Sequence, residues 1–166
     1  IALDGTSTIV GTTGLKPRAI AVDTAGNVYT ANTDSDTVSK ITPAGTSTTL
    51  GTTGNTPVGI AIDVNGNLYT VNVDSDTVSK ITPAGISTIL GITGSGPRDL
   101  TVDMDGNVYT ANQDSDDVSK IAPDGTTTTL GTTGAGPRGI ALDADGNIYT
   151  ANRDTDNVSK ITPDGN

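Results

Sequence analysis

A unit of 40 residues recurs four times without insertion or deletion, so that Gly11, Gly51, Gly91 and Gly131 head the same phrase. Tyr29, Tyr69, Tyr109 and Tyr149 likewise share one position in it. A chain of this kind cannot fold around one irregular core; each unit must be a small block that buries its faces against its neighbours. Turn residues punctuate the unit every eight to twelve positions or so, and no segment carries the apolar period of a helix. This spacing predicts an all-β fold: a β-propeller of four four-stranded blades per chain, with residues 1–166 forming one domain or half-ring.

Within one unit the strands can be read from composition. Residues 46–50 (TSTTL) are rich in β-branched side chains and are stopped by GTTGNTP. Residues 59–63 (GIAID) form a short apolar strand, and the following VNGN has the chemistry of a tight hairpin leading into 68–72 (LYTVN). The polar VDSDT then leads to 78–82 (VSKIT), which ends at Pro83.

Composition excludes more chemistry than any motif suggests. The 166 residues contain no Cys, His, Glu, Trp or Phe, and all 19 acidic residues are Asp. No Ser/His/Asp or Cys/His relay can form, nor a disulfide or a His/Cys zinc site. The net charge of −10 comes from aspartates at equivalent places in each unit, which makes a ring of negative charge. Nucleic acid and anionic membranes are therefore not expected as partners, and no apolar run is long enough to span a bilayer.

The phrase from Pro17 to Pro43, PRAIAVDTAGNVYTANTDSDTVSKITP, with its three recurrences, resembles the NHL repeat. Pro17, Asp23, Gly26, Asn27, Tyr29 and Lys40 stand where that family's pattern has them, and the likeness runs through the whole chain. The resemblance implies that the GIAVD-like strand is innermost in each blade and that the strand after PAG lies at the rim. The chain is also distantly similar to antibiotic-inactivating lyase propellers; that likeness implies a chemistry needing histidine, which is absent here.

With that strand order, the chain opens on a rim strand, residues 6–10 (TSTIV), and closes on three inner strands, so the last blade lacks its rim strand. The first strand can fill the gap in its own chain or in a second one, removing exposed sheet edges. Rim strands carry nothing larger than Leu or Ile, which suits closely stacked blades. The expectation is an eight-bladed ring made by two chains as a homodimer. A four-bladed monomeric ring and a segment of a longer array are the alternatives.

Two features could bind a ligand. LDADGN at 142–147, with VDMDGN and IDVNGN, partly matches the start of a calcium loop, but VDTAGN lacks the middle ligand and there is no Glu to complete it. The plainer reading is an Asp-capped hairpin, so no cofactor is expected beyond a possible calcium ion. The second feature is the loop NTDSD and its repeats, expected on the same face as the loop entering the innermost strand. This nominates Asn32, Asp34, Asp36, Asn72, Asp74, Asp76, Asn112, Asp114, Asp116, Asn152, Asp154 and Asp156, together with Arg18, Arg98 and Arg138. They could hold a cation or a protein or small polar ligand, or they could be Asx turns and surface ion pairs.

Uniform repetition argues against the asymmetry that an acid, a base and an orienting group require. The expected function is a non-enzymatic interaction scaffold presenting an acidic loop face. The alternatives are a metal-dependent hydrolase or lactonase with a divalent cation in the channel, and an amplified or engineered array with no evolved ligand. Asp99, beside Arg98, is the one asymmetric charge near an inner strand and the place to look for chemistry.

Overall fold

A computed structural model describes residues 5–165. The first unit forms β1 (Pro17–Val22), β2 (Val28–Asn32), β3 (Thr37–Ile41) and β4 (Ser47–Thr52). The second forms β5 (Pro57–Ile62), β6 (Leu68–Asn72), β7 (Thr77–Ile81) and β8 (Ser87–Ile92), with a short 3₁₀ turn at Val73–Ser75. The third contains β9 (Pro97–Val102), β10 (Val108–Asn112), β11 (Asp117–Ile121) and β12 (Thr127–Thr132), and the last β13 (Pro137–Leu142), β14 (Ile148–Asn152) and β15 (Asn157–Ile161). Each sheet is an antiparallel meander in chain order; three have four strands and the last has three.

Local chemistry sets these elements. In the first hairpin Asp23 N–H donates to the Asn27 carbonyl and Gly26 N–H to the Asp23 carbonyl, both at 3.0 Å. Gly26 takes φ 80°, a left-handed conformation that a side chain would strain. The rim strand runs past Leu50, where the sequence reading ended it, because Gly51 pairs with Val38. Its bare Cα lies against the next blade: a Cβ there would meet Ile81 Cγ2 at 3.0 Å and press on Ser87 Oγ. The register shift between Val38 and Ser39 accommodates Leu50 as an extra residue, a bulge that bends the rim.

The blades stack as in a propeller. The inner strands β1, β5, β9 and β13 lie side by side in sequence order. Each junction buries an apolar core from the back of one blade and the front of the next. The first is Tyr29 and Val38 against Leu68 and Ile81; the third is Tyr109 and Val118 against Ile148 and Ile161. The second strands of the first three blades are covered on both faces, so VYTAN of the third is buried without alternation.

The ring is open. Ile20 and Val22 on the front of the first blade are 65% and 56% exposed, whereas Leu100, equivalent to Ile20, is 5% exposed. Val158 on the back of the last blade is 67% exposed, against 0% for Val38, Val78 and Val118. The four-bladed ring closed within one chain is therefore not what forms. Residues 6–10, read as the first strand, form no strand, and Ile9 is 95% exposed. A strand is defined by its ladder partner, and the sheet edge this segment would complete, at β15, lies at the far end of the arc.

Candidate functional site

The repeated aspartates separate into structural classes. Asp23 ends β1 and its carboxylate receives the Ala25 and Asn27 N–H groups at 3.0 and 2.8 Å, Asn27 Nδ2 at 2.7 Å and the Tyr29 hydroxyl at 3.0 Å. Asp63, Asp103 and Asp143 repeat the pattern with their own turns and tyrosines. Four donors occupy the carboxylate, so the calcium-like turn is built as a hairpin cap. Hydrogen bonding, first from the Asn27 side chain, holds Asp23 below the usual carboxylate range. Burial works to raise Asp63 and Asp103, but hydrogen bonds led by those from Asn67 and Asn107 outweigh it and keep both lowered. The Tyr29 hydroxyl is pushed up to about 12 by burial and by Asp23. Each repeated Lys places its ammonium over the tyrosine of its own blade, Lys40 at 5.7 Å from the Tyr29 ring centroid.

The nominated loop residues divide between buried places and places nearer solvent. Asn32, Asn72, Asn112 and Asn152 are buried in the blade. Asn72 Nδ2 donates to Thr77 Oγ1 at 3.1 Å and Ser79 Oγ at 2.9 Å, and its Oδ1 accepts from Thr70 at 3.1 Å. Ser79 in turn accepts the Gly54 N–H at 2.9 Å, a node that composition alone did not reveal. Asp36, Asp76 and Asp116 sit in the left-handed region with φ of 50°, 49° and 53°. Each accepts a backbone N–H from the loop entering the next blade: Asp36 from Thr56 at 2.8 Å, Asp76 from Gly96 at 2.9 Å and Asp116 from Gly136 at 2.8 Å. Asp156, in the last described blade, has the same conformation, φ 51°.

The other nominated residues lie nearer solvent. Asp34 pairs with Lys16 at 2.7 Å, Asp74 accepts the Thr56 hydroxyl at 2.5 Å, Asp114 accepts from Gln113 at 3.1 Å and Asp154 pairs with Arg153 at 2.5 Å. The Arg153 hydrogen bond holds Asp154 low. Such exposed pairs contribute little to stability. Arg18 is exposed, and Arg138 Nε donates to Gln113 Oε1 across a junction at 2.8 Å. Arg98 Nε is buried and has no hydrogen-bond partner. Among the described residues no three acidic side chains converge as a metal site requires.

Asp99 stands apart. It replaces the small residue of the other inner strands, Ala19, Gly59 and Gly139, and reaches toward the last blade. Its oxygens accept the Leu100 N–H at 2.9 Å and, across the junction, the Ile140 N–H at 3.2 Å. Burial pushes its carboxyl up, opposed by those two bonds. It lines a cavity of about 340 Å³ with Ile140, Tyr149, Thr150 and Val158. Its shift is opposite in direction to that of the hairpin carboxylates.

Comparison with known proteins gives a family. The model of the virginiamycin B lyase family matches residues 3–166. No curated protein matches the chain. Among solved structures, selenomethionine-substituted virginiamycin B lyase from Staphylococcus aureus aligns with a TM-score of 0.76 and 19% identity over 89% of this chain and 52% of that one. A streptogramin B lyase structure aligns at 0.80 and 17%, over 92% and 53%. A catalytically inactive His-to-Ala variant of the Staphylococcus aureus enzyme with quinupristin aligns at 0.73 and 18%, over 92% and 57%. The chain thus spans about half the length of these structures. The propeller class read from the repeats stands, and the family shown is that of virginiamycin B lyase. The expected non-enzymatic scaffold is overturned, because the family is one of enzymes. Uniform repeats misled that reading: they describe the frame and say little about the few positions that break it.

Proposed function

The chain belongs to the virginiamycin B lyase family, and on that premise we propose that it supplies four blades of a propeller enzyme that cleaves a streptogramin B-type molecule by elimination. The match along residues 3–166 carries the reading. A lyase breaks its bond without adding water and needs a base to take a proton. In the solved relative, replacing one histidine accompanies loss of catalysis; this chain has none. Among the groups this chain supplies, the Asp99 carboxylate is the one whose surroundings fit a proton acceptor. Burial raises its proton affinity, as a general base requires, and two backbone N–H groups hold it in place.

Because the chain spans about half the length of those relatives, the reading concerns the complete propeller to which these four blades contribute. The test is incubation of the purified protein with virginiamycin B or quinupristin, followed by mass spectrometry. Products containing only the substrate's atoms, without added water, are expected, and Asp99→Asn should slow their formation by about 100-fold or more. Absence of turnover by the assembled protein, or full turnover by Asp99→Asn, sinks the respective part of the proposal.

A further inference from the structure

The four hairpin turns that join the first and second strands of the blades share a geometry but not a chemistry. Their apices carry Ala25, Asn65, Asp105 and Asp145, each followed by glycine, so Asn65-Gly66 is the one asparagine–glycine pair in the chain. Asn65 is exposed; its backbone N–H donates to Asp63 Oδ1 at 2.9 Å, and its carboxamide has no hydrogen-bond partner among the described residues. Gly66 follows at φ 79°, where a Cβ would meet only Pro83 Cγ, at 3.4 Å. Its nitrogen is held by one hydrogen bond to the Asp63 carbonyl, 3.0 Å across an exposed turn, and local opening of that turn releases it without disturbing the blade. The other described asparagines differ. Asn67 gives its Nδ2 to Asp63 at 2.8 Å, and its equivalents do the same in their own turns. Asn72 and its equivalents are buried with their amides bonded. Asn55 and Asn157 precede Thr56 and Val158, whose β-branched side chains crowd the following nitrogen.

We propose that Asn65 is a site of spontaneous covalent modification, losing its carboxamide through a succinimide ring closed on the Gly66 nitrogen. The Gly66 nitrogen bonds to Asn65 Cγ as the Cγ–Nδ2 bond breaks, and ammonia departs with the proton that the Gly66 nitrogen gives up. Water then opens the ring. Addition at the former side-chain carbonyl leaves aspartate at position 65; addition at the main-chain carbonyl leaves isoaspartate, whose backbone runs one atom longer through the side chain. Nothing is oxidised or reduced, and solvent water is the sole co-reactant. The repeat itself indicates the fate of each product. Aspartate fits this place, since the Asp105 and Asp145 N–H groups each donate to the carboxylate of their own turn at 3.0 Å, as Asn65 does to Asp63. Isoaspartate lengthens the path from Asp63 to Asn67, whose N–H and side-chain amide both reach the Asp63 carboxylate at 2.8 Å. That product therefore loosens the cap which also receives the Tyr69 hydroxyl.

The folded protein, held at mildly alkaline pH over weeks and mapped by digestion and fragmentation mass spectrometry, should convert amide to acid at residue 65 ahead of every other asparagine. Two separable products are expected, one of them isoaspartyl. Conversion should quicken as pH rises, because the attacking nitrogen must lose its proton. Asn65→Ala, which gives the second turn the residue that the first already carries, should abolish the mass shift at this turn. Asn65→Asp should unfold at the parent's temperature, and the isoaspartyl fraction at a lower one. The same sampling in urea gives the behaviour of the open chain. Conversion in urea with none in the folded protein, folded-state conversion that begins at another asparagine, or an equal mass shift in Asn65→Ala overturns the proposal. None of these readouts depends on turnover.

Discussion

At the scale of single residues, the fold rests on carboxylates that serve backbone geometry. Asp103→Ala removes acceptors for the Asn107 and Asp105 N–H groups and the Tyr109 hydroxyl. A loss of about 1–2 kcal/mol is expected in urea unfolding, moderated by the partial exposure of the turn. The same group sets an acid response. Its folded proton affinity is lowered, so its contribution is present above the unfolded carboxylate value of about 4 and is lost as pH falls through the lower folded value. Unfolding midpoints measured from pH 6 downward should therefore decline below about pH 4, with a shallower decline in Asp103→Asn. Asp99 has the opposite sign: its buried charge opposes folding above its raised folded value, and protonation relieves the cost. Asp99→Asn should accordingly unfold at equal or higher urea than the parent at neutral pH even as turnover falls. The hairpin caps were legible in the sequence because Asp followed by Gly and Asn names its own turn. The role of Asp36 was not, since neither its left-handed backbone nor the Thr56 N–H in the next blade leaves a mark in the local sequence.

Among elements, the rim strand shows how backbone proximity replaces side-chain bulk. Gly51→Val adds atoms where even a Cβ meets Ile81 and Ser87. The blade must shift, and a cost of about 1–3 kcal/mol is expected by thermal unfolding. The second strands were read with the right bounds, residues 68–72 among them, because apolar residues and hairpin chemistry agree there. The rim strand was cut short at Leu50 because Gly usually ends a strand, and nothing local records that the neighbouring blade requires it. The segment at residues 6–10 has strand composition without a strand, since composition does not supply a ladder partner. Composition identifies what can pair; topology decides whether it does.

For the molecule as a whole, three junction cores hold four blades, and both outermost faces carry apolar residues without cover. The carboxylate grip at each junction has a consequence for growth. Every Asp of this kind reaches forward along the chain and none reaches back. The stack is therefore a vector: each blade is latched to the one after it, so its two outer faces are not interchangeable and any blade added at either end must follow the same direction.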